Sequence, residues 1–382
     1  MSAPYDVIVI GLGGMGSATA YQLARRGKRV LGLERFTPAH DRGSSHGRSR
    51  VIRQAYFEDP AYVPLLLRAY ELWEQLERDS GRGVLTITGG LMVGREESQT
   101  FAGTLRSARQ WGLAHEVMGP DEIRRRFPAM QPSPDLMGFY ETKAGFVHPE
   151  DSVWAHLQQA MRHSADLRFT EPALTWTADA RGVTVTTERN RYEAGTLVIA
   201  PGAWAPELLA DLALPFRVTR QTLFWFDPVG GPGPFAVGAF PIYIWEMDEG
   251  AQIYGFPAQP GVPGVKVAFF YQGLPCDPND VNRVVSEEEV ARMRDAVRPR
   301  IPSLGGPLRG TATCLYTEVP DHHFVIAAHP RHANVVFASP CSGHGYKFCS
   351  VIGEILADLA TEGRSRHPLA LFDPTRFGVS GP

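Results

Sequence analysis

The sequence predicts an α/β fold in which a parallel-sheet domain is interleaved with a second domain, of α+β type, that is built on an antiparallel sheet. Three observations lead to this prediction. A strand, a glycine turn, a helix and a strand follow one another at the N-terminus, a similar unit lies near the C-terminus, and short β-rich runs lie between them. The 382 residues, 43% of them hydrophobic, exceed one ordinary core, so two connected domains are expected.

The first unit has the order of elements of a Rossmann-like dinucleotide site. An apolar strand over residues 5–10 precedes Gly11, Gly13 and Gly16, and a second strand ends at Glu34. Glycines at this spacing permit a tight turn, close approach of backbone N–H groups to a pyrophosphate, and close packing of the helix on the strand. The Glu34 carboxylate can accept hydrogen bonds from both ribose hydroxyls and would repel a 2′-phosphate. The unit therefore predicts FAD or NAD rather than NADP.

The composition and the chain ends exclude several other classes of protein. With 38 basic and 41 acidic residues, the formal net charge of -3 offers no field that would attract nucleic acid or an anionic membrane. The start MSAPYD lacks the basic region of a signal peptide, and the end GVSGP is no peroxisomal signal, so a cytoplasmic location is predicted. The four cysteines show neither CxxC pairs nor zinc-like spacing, and neither a disulfide framework nor a metal site is expected.

Two further stretches are typical of the nucleotide-binding domain. Helical periodicity over 62–78 and near 151–163 predicts two helices, the first of them with an apolar face against the sheet. A buried strand at 196–200 leads into a turn at Pro201 and Gly202. A strand followed by a glycine turn again indicates the nucleotide-binding sheet.

The middle of the chain has a different pattern. Short β-rich runs between about 216 and 271, separated by Gly and Pro, predict a separate antiparallel sheet that would carry the substrate site. A capping box from Ser286 to Glu289 predicts a helix that runs to about Val297.

The last third carries a second strand, glycine turn and helix. A strand at 334–339 runs into the turn PCSGHG and then into a helix with apolar residues along one face. The N-terminus of such a helix presents positive partial charge, which suits a ring carbonyl that becomes anionic on reduction. An isoalloxazine is such a ring, so the two turns together favour FAD. Residues 1–80, 145–212 and 325–382 are predicted to form a discontinuous FAD-binding domain, and residues 81–144 and 213–324 the substrate domain.

Three stretches of the chain resemble a known family. They are GSSHGRSRVIRQAY at 43–56, CLYTEVPDHHF at 314–324 and CSGHGYKF at 341–348. In this order, they resemble the monomeric sarcosine oxidase and N-methyltryptophan oxidase family, FAD-dependent amine oxidases related to D-amino acid oxidase and close also to L-pipecolate oxidase. The likeness spans nearly the whole chain. It implies a monomeric oxidase that uses O2 to convert a secondary amino acid, such as sarcosine or another N-methyl amino acid, to an imine and H2O2. The imine would then hydrolyse to an aldehyde and an amino acid.

The resemblance implies roles for individual residues. Cys314 matches the cysteine that is joined to the 8α carbon of FAD, whereas the other cysteines, Cys276, Cys341 and Cys349, are expected to be small buried core residues. Lys266 matches a lysine near the flavin N5 that can stabilise superoxide. Arg53 and Lys347 match the pair that holds the substrate carboxylate, since a guanidinium offers a bidentate fork and an ammonium a point charge. The remaining implied active-site residues are Tyr254, close to the substrate, and Arg50 and His46, along the flavin edge.

The implied FAD contacts lie mainly in the two glycine turns and the basic loop. They are Gly11, Gly13, Gly14, Met15, Gly16, Glu34, Arg35, Ser45, Arg50, Gly202, Cys314, Leu315, Gly343, His344, Gly345 and Lys347. His344, between two glycines, is expected to present its backbone rather than its ring to the flavin.

One position departs from the family pattern. Phe270 stands where sarcosine oxidases have a histidine four residues after the flavin-proximal lysine, and GSSHG replaces their usual GSHHG. The more apolar wall weakens the case for sarcosine and favours a larger or cyclic secondary amine. Three alternatives therefore stay open: an oxidase of L-pipecolate, L-proline or another cyclic imino acid, an NAD-dependent dehydrogenase, and a flavin-binding module without catalysis.

Overall fold

The computed structural model describes residues 5–379, so the first four and the last three residues of the predicted FAD-binding domain lie outside the described part. Across residues 5–379 the chain forms twenty strands and eight α-helices. The strands are Tyr5–Ile10 (β1), Val30–Leu33 (β2), Arg50–Ile52 (β3), Leu85–Ile87 (β4), Gly90–Arg95 (β5), Glu116–Met118 (β6), Leu136–Glu141 (β7), Gly145–Val147 (β8), Asp166–Arg168 (β9), Thr175–Asp179 (β10), Gly182–Thr186 (β11), Arg191–Ile199 (β12), Arg217–Phe226 (β13), Ile242–Glu246 (β14), Gln252–Gly255 (β15), Val265–Phe270 (β16), Leu274–Pro275 (β17), Leu308–Glu318 (β18), Val325–His329 (β19) and His332–Ser339 (β20). The helices are Gly14–Arg25 (α1), Val63–Ser80 (α2), Thr104–Trp111 (α3), Pro120–Arg126 (α4), Pro149–Arg162 (α5), Ala205–Leu208 (α6), Glu287–Val297 (α7) and Cys349–Glu362 (α8).

The first sheet has a parallel centre. β1 lies between β2 and β12, and β9 and β20 extend the parallel order on the two sides. Antiparallel strands complete it: β11 and β10 continue from the first half of β12, and β19 pairs with β20. The last residues of β1 are buried on both faces, which explains their continuous apolar sequence. This sheet confirms the predicted α/β class and draws its strands only from 1–80, 145–212 and 325–382.

Helices α1, α2, α5 and α8 share one hydrophobic core with this sheet. Two glycines allow the close packing. A Cβ on Gly16 would lie 1.7 Å from the carbonyl oxygen of Gly11, and a Cβ on Gly353 would lie 2.6 Å from Ala18. The first contact seats α1 on the turn that follows β1, and the second brings α8 against α1. Helix α8 therefore holds the second glycine turn beside the first.

The second sheet has nine strands, and the long strand β13 lies near one end of it. β13 pairs antiparallel with β16, β17 and β18, and β15 connects β16 to β14. The sheet is mixed rather than purely antiparallel as predicted, because β5 pairs with β14 in parallel. β5 enters from the earlier segment 81–144, so its direction is not set by a hairpin with β14. All nine strands come from residues 81–144 and 213–324.

A three-stranded sheet of β3, β8 and β4 connects the two larger sheets. Its strands come from both predicted domains, since β4 lies in 81–144 while β3 and β8 lie in the nucleotide-binding segments. β3 carries Arg50 and leads directly to Arg53. The small sheet therefore places the basic loop between the two larger sheets.

The predicted helices and turns agree with the structure to within a few residues. The helix predicted at 62–78 is α2, and that near 151–163 is α5. Both reciprocal hydrogen bonds of the capping box between Ser286 and Glu289 are present at the start of α7. Among residues 5–379, every helix is too short or too polar to cross a bilayer.

Candidate cofactor and substrate site

A cavity of about 460 Å³ lies where the two glycine turns meet the second sheet. It collects almost every predicted site residue. Those that line it are Gly11, Gly13, Gly14, Met15, Glu34, Arg35, Ser45, Arg50, Arg53, Gly202, Tyr254, Cys314, Leu315, Gly343, His344, Gly345 and Lys347. Three predicted residues, Gly16, His46 and Lys266, do not line it, and Gly16 acts instead in helix packing.

One end of the cavity is built by the first glycine turn. Gly11 has φ +84, and a Cβ there would lie 2.4 Å from the carbonyl oxygen of Ala200, so only glycine fits. The N-cap residue of α1, Gly13, has no side chain to cap the helix, and the first helical residue, Gly14, donates its N–H to Ser45 Oγ at 2.9 Å. Each Glu34 carboxylate oxygen accepts one backbone N–H, from Leu12 at 2.8 Å and from Phe36 at 2.9 Å. The buried carboxylate is thus fixed at the cavity wall.

The second glycine turn lies directly against the first. A Cβ on Gly14 would lie 2.5 Å from Cys349 Sγ and 2.9 Å from a ring carbon of Tyr346. Both turns line the same cavity, as expected if they bind one ligand. Gly345 has no room for a side chain either, because its Cβ would lie 1.6 Å from the carbonyl oxygen of Pro340. The glycines leave room for a pyrophosphate at the N-terminus of α1, where backbone N–H groups and Ser45 Oγ can donate to it. The fixed Glu34 carboxylate can accept from a ribose, so these groups fit FAD.

The outer end of the cavity contains residues that the sequence analysis missed. Pro172, Ala173 and Leu174 line it after β9, together with Glu188 and Leu208. No motif marks these positions, since they lie in loops that only the folded sheet brings near Glu34. Arg35, which was predicted, is exposed here and stacks over Trp204 at 5.3 Å.

Cys314 lies at the inner part of the cavity, in β18. Its Sγ accepts a hydrogen bond from Arg50 Nη2 at 3.2 Å, and the same nitrogen donates to the Ser44 carbonyl at 2.8 Å. Two of the other cysteines also line the cavity, which corrects the expectation that they are plain core residues. Cys349 is buried as expected, whereas Cys341 and Cys276 are only partly buried.

Lys266 is buried behind the basic loop rather than in the cavity wall. Its Nζ donates to the carbonyl oxygens of Gly47 at 2.7 Å and Ser49 at 2.8 Å. Burial, and then the positive charge of Arg50, hold the pKa of Lys266 well below its ordinary value. Lys266 thus lies behind the loop of residues 47–49, and its role near the flavin N5 stays a prediction.

His46 is buried in the same loop. Its Nε2 has no hydrogen-bond partner among the described residues. Burial, followed by the charge of Arg50, lowers the pKa of His46 to about 4, so the ring is neutral at neutral pH.

Glu150, which the sequence analysis missed, holds the backbone of the loop that contains His46. It lies in the first turn of α5, and its carboxylate accepts the backbone N–H groups of Gly47 at 2.7 Å and Arg48 at 3.2 Å. An acidic residue in the first turn of a predicted helix is a normal stabilising feature, so its position alone did not point to the site.

The substrate end of the cavity contains two buried cations, Arg53 and Lys347, and one partly buried carboxylate, Glu58. Arg53 Nη2 donates to Glu58 Oε2 at 2.6 Å. Arg53 Nε and Glu58 Oε1 are buried and have no partner among residues 5–379. Burial alone would raise the pKa of Glu58, but the attraction and hydrogen bond of Arg53, together with the other basic groups nearby, outweigh it and lower the pKa below its ordinary value. The sequence analysis did not identify Glu58 as a site residue, because nothing in the sequence distinguishes it from an exposed acidic residue.

Lys347 is held in a 3-10 turn just before α8. Its Nζ donates to the carbonyl oxygen of His344 at 2.6 Å and to Tyr56 Oη at 3.1 Å. Burial, and then repulsion by Arg53, lower the pKa of Lys347 to about 7. The ring of His344 is engaged away from Lys347, at Tyr56 and His322.

The wall opposite the cations is aromatic. Tyr254, Phe270 and Tyr316 line it, and the rings of Tyr254 and Tyr316 each have their centroid 6.3 Å from that of Phe270. Burial raises the pKa of Tyr254, so its hydroxyl stays protonated. A ligand bound in this end of the cavity would contact both the two cations and these aromatic rings.

Comparisons with known proteins agree with this site. The sequence profile of the family described as FAD dependent oxidoreductase matches residues 6–359. The chain is 56% identical to a monomeric sarcosine oxidase of Streptomyces avermitilis over 100% of both chains. It is 34% identical to an N-methyl-L-tryptophan oxidase of Escherichia coli over 98% of this chain and 99% of the relative.

A solved structure of NikD, an unusual amino acid oxidase essential for nikkomycin biosynthesis, has 28% identity and a TM-score of 0.83, with 97% of both chains covered. The chain is therefore a flavin-dependent amine oxidase of the FAD-dependent oxidoreductase family, and within it belongs to the group of monomeric sarcosine oxidases and N-methyltryptophan oxidases.

Proposed function

We propose that this oxidase acts on secondary amino acids that carry a carboxylate, with sarcosine or another N-methyl amino acid as substrate. The observation that carries this proposal is the pair of buried cations, Arg53 and Lys347, which line the same cavity as the two glycine turns. A charged pair is costly to bury unless it is balanced. Glu58 balances one charge, and a substrate carboxylate would balance the other.

The residues of the chain would bind and orient the substrate. Arg53 and Lys347 hold the carboxylate, and the aromatic wall of Tyr254 and Phe270 excludes water from the carbon next to the nitrogen. FAD, when bound, supplies the two-electron oxidation of the C–N bond and passes the electrons to O2, which gives an imine and H2O2.

Further residues would support the redox chemistry. Lys266 would place a buried positive charge behind the loop of residues 47–49, where it can stabilise negative charge on oxygen. Arg50 and the neutral His46 would set the charge along the flavin edge. The sulfur of Cys314 would bond to the 8α carbon of the cofactor in place of one hydrogen. The two electrons released would pass to the flavin ring and from it to O2, and Arg50, at 3.2 Å, would place a positive charge beside the sulfur.

The named relatives support the substrate class and one further proposal. One relative is named a monomeric sarcosine oxidase and another an N-methyl-L-tryptophan oxidase. Because the first name includes the word monomeric, we also propose that this chain acts as a monomer, which sedimentation equilibrium would test.

The division into an FAD-binding domain (1–80, 145–212, 325–382) and a substrate domain (81–144, 213–324) is proposed too. It is supported by the two large sheets, since each draws its strands from only one of these two sets of residues.

The substrate is tested by bleaching of the flavin absorbance under anaerobic conditions. Sarcosine, N-methyl-L-tryptophan, L-proline and L-pipecolate would be mixed with the protein in parallel, and H2O2 measured afterwards in air. We expect an N-methyl amino acid to bleach the flavin fastest. If no carboxylate-bearing secondary amine bleaches it, the proposed substrate class is wrong.

A second candidate is an oxidase of cyclic imino acids such as L-pipecolate or L-proline. Phe270 favours it, since the phenyl ring supplies an apolar surface beside Tyr254 and Tyr316 on which a saturated ring can pack. The same panel decides between the candidates. If this second candidate is correct, Phe270→His should slow the cyclic substrates and leave sarcosine unchanged or faster.

A further inference from the structure

Tyr56 lies between the two cations of the substrate end; it ends the stretch 43–56, but the sequence analysis gave it no role. Its side chain is fully buried. On one side the Arg53 guanidinium carbon lies over the ring, 4.1 Å from its centroid. On the other side Lys347 Nζ lies 3.1 Å from the hydroxyl oxygen. One side chain therefore touches both groups that the proposed function assigns to the substrate carboxylate.

His344 fixes the direction of the hydrogen bonds at Tyr56. Its Nε2 lies 2.9 Å from the carbonyl oxygen of His322, which can only accept, so this nitrogen carries the proton. Burial lowers the pKa of His344 to about 4, so the ring is neutral at neutral pH and its Nδ1 has a free lone pair. The Tyr56 hydroxyl therefore donates its proton to Nδ1, across 2.6 Å.

The Tyr56 oxygen consequently faces Lys347 as an acceptor. The ammonium donates to it and to the His344 carbonyl, which leaves one of its three N–H groups unused. Arg53 donates from Nη1 to Ala55 and from Nη2 to Glu58, and its buried Nε has no partner among residues 5–379. Both cations thus keep donors for an anion in the cavity.

The charges around Lys347 are compatible with such an anion. The titratable groups that face it are Arg53, Tyr56 and Glu58 from the segment after β3, His344 from the second glycine turn, and Cys349 from α8. From α2, the Trp73 indole donates only to the Lys347 carbonyl. With the Lys347 side chain protonated, Arg53, Glu58 and Lys347 together carry one excess positive charge.

We propose that Tyr56 is a positioning residue for the substrate carboxylate. Anchored by the neutral ring of His344, Tyr56 keeps the Lys347 ammonium charged and oriented toward the carboxylate. Its ring also keeps the Arg53 guanidinium stacked in place for the carboxylate. The inference rests on the proposed function, because it takes the carboxylate to bind at these two cations. A hydroxyl that only accepts from an ammonium favours its charged form, and so opposes the effect of burial.

The test measures binding rather than turnover. Acetate, a carboxylate that cannot be oxidised here, is titrated into the flavin-loaded protein, and its Kd is read from the change in flavin absorbance at pH values from about 5 to about 9. In the unchanged protein, affinity should be constant below about pH 7 and fall about tenfold per pH unit above it, because Lys347 must be protonated. In Tyr56→Phe, acetate should bind about tenfold more weakly at neutral pH, and the fall should begin about one pH unit lower.

Tyr62→Phe is the matched control. Tyr62 is also fully buried, its ring centroid lies 5.0 Å from that of Tyr56, and its hydroxyl bonds to His323 rather than to Lys347. Its Kd profile should match that of the unchanged protein. An equal effect of both substitutions would mean general loosening of the core and would overturn the inference.

The remaining outcomes separate this inference from the proposed function. If acetate does not bind the unchanged protein, the carboxylate site itself is wrong, and the inference fails with it. If acetate binds Tyr56→Phe with unchanged affinity and pH profile, the inference alone is wrong. Should the variant not fold, ¹⁵N chemical shifts of the His344 ring in the unchanged protein decide: a proton on Nε2 only supports the inference, and a proton on Nδ1 overturns it.

Discussion

The guanidinium of Arg50 donates a hydrogen bond to the sulfur of Cys314 across 3.2 Å, and so joins β3 of the small sheet to β18 of the nine-stranded sheet. Both groups line the cavity. A fixed positive charge beside a sulfur stabilises the thiolate, which is the form of cysteine that reacts with an electrophile. The pair is the structural basis of the proposed covalent attachment.

Replacing Cys314 with alanine should release the flavin without unfolding the protein. Trichloroacetic acid should precipitate the unchanged protein as a yellow pellet, and the Cys314→Ala variant as a white pellet with free FAD in the supernatant. Cys341→Ala is the matched control, since Cys341 also lines the cavity but does not contact Arg50, and its pellet should stay yellow. A white pellet from the unchanged protein would show that no covalent bond is formed.

Replacing Lys266 with methionine should slow reoxidation of the reduced flavin by about a hundredfold and affect its reduction by substrate much less. The reason is that a buried positive charge can act on the anion formed from oxygen, whereas the substrate is oxidised at the cavity wall, which Lys266 does not reach. Stopped-flow spectroscopy measures the two half-reactions separately. Equal slowing of both would mean that Lys266 serves only to hold Gly47 and Ser49 in place.

Replacing Arg53 with methionine should raise KM for carboxylate-bearing amines by about tenfold to a hundredfold, since a hydrogen bond to a charged group contributes about 1.5–3 kcal/mol. A secondary amine without a carboxylate should be affected little. Arg42→Met is the matched control, because Arg42 lies in the same loop but is exposed. An unchanged KM for sarcosine in Arg53→Met would place the carboxylate elsewhere.

Replacing Glu289 with glutamine should destabilise the fold in a pH-dependent way. Glu289 accepts hydrogen bonds from Arg220 at 2.7 Å, from Thr222 at 2.7 Å and from the Ser286 backbone at 2.9 Å. Although burial opposes it, this set lowers the pKa of Glu289 from 4.5 to about 2. A depressed pKa stabilises the folded state above the ordinary value, and the contribution is lost as the pH falls toward about 2.

Solvent screening limits the effect of Glu289→Gln to about 1 kcal/mol at neutral pH. Urea unfolding at about pH 7 and about pH 3 would measure it, and the difference from the unchanged protein should shrink at the lower pH. Glu288→Gln serves as the control, since Glu288 is exposed in the same first turn of α7. A difference that does not change with pH would show that the ionised carboxylate does not stabilise the fold.

The elements that could be predicted from the sequence are those with local signals. The glycines after β1 and in 340–345, the helical periodicity of α2 and α5, and the capping box of α7 each specify structure within a few neighbouring residues. The parallel pairing of β5 with β14 was missed, because strands far apart in sequence carry no mark of their relative direction.

The candidate site shows the same limit. Arg53 and Lys347 were found through short motifs, whereas Glu58 and Glu150 have ordinary sequence surroundings, and Tyr56, in the same motif as Arg53, was given no role. The roles of Glu150 and Tyr56 arise from contacts over distance: Glu150 binds Gly47, 103 residues away, and Tyr56 binds His344, 288 residues away. The sequence also did not show that Lys266 is buried behind Gly47 and Ser49.

The order of the chain has a consequence for biosynthesis. β20 pairs with β12 in the first sheet, and α8 packs on α1, so the cofactor cavity is incomplete until residues 332–362 have left the ribosome. The earlier segments can collapse, but without β20 and α8 they lack the second glycine turn. A nascent or truncated polypeptide without these residues should therefore emerge colourless.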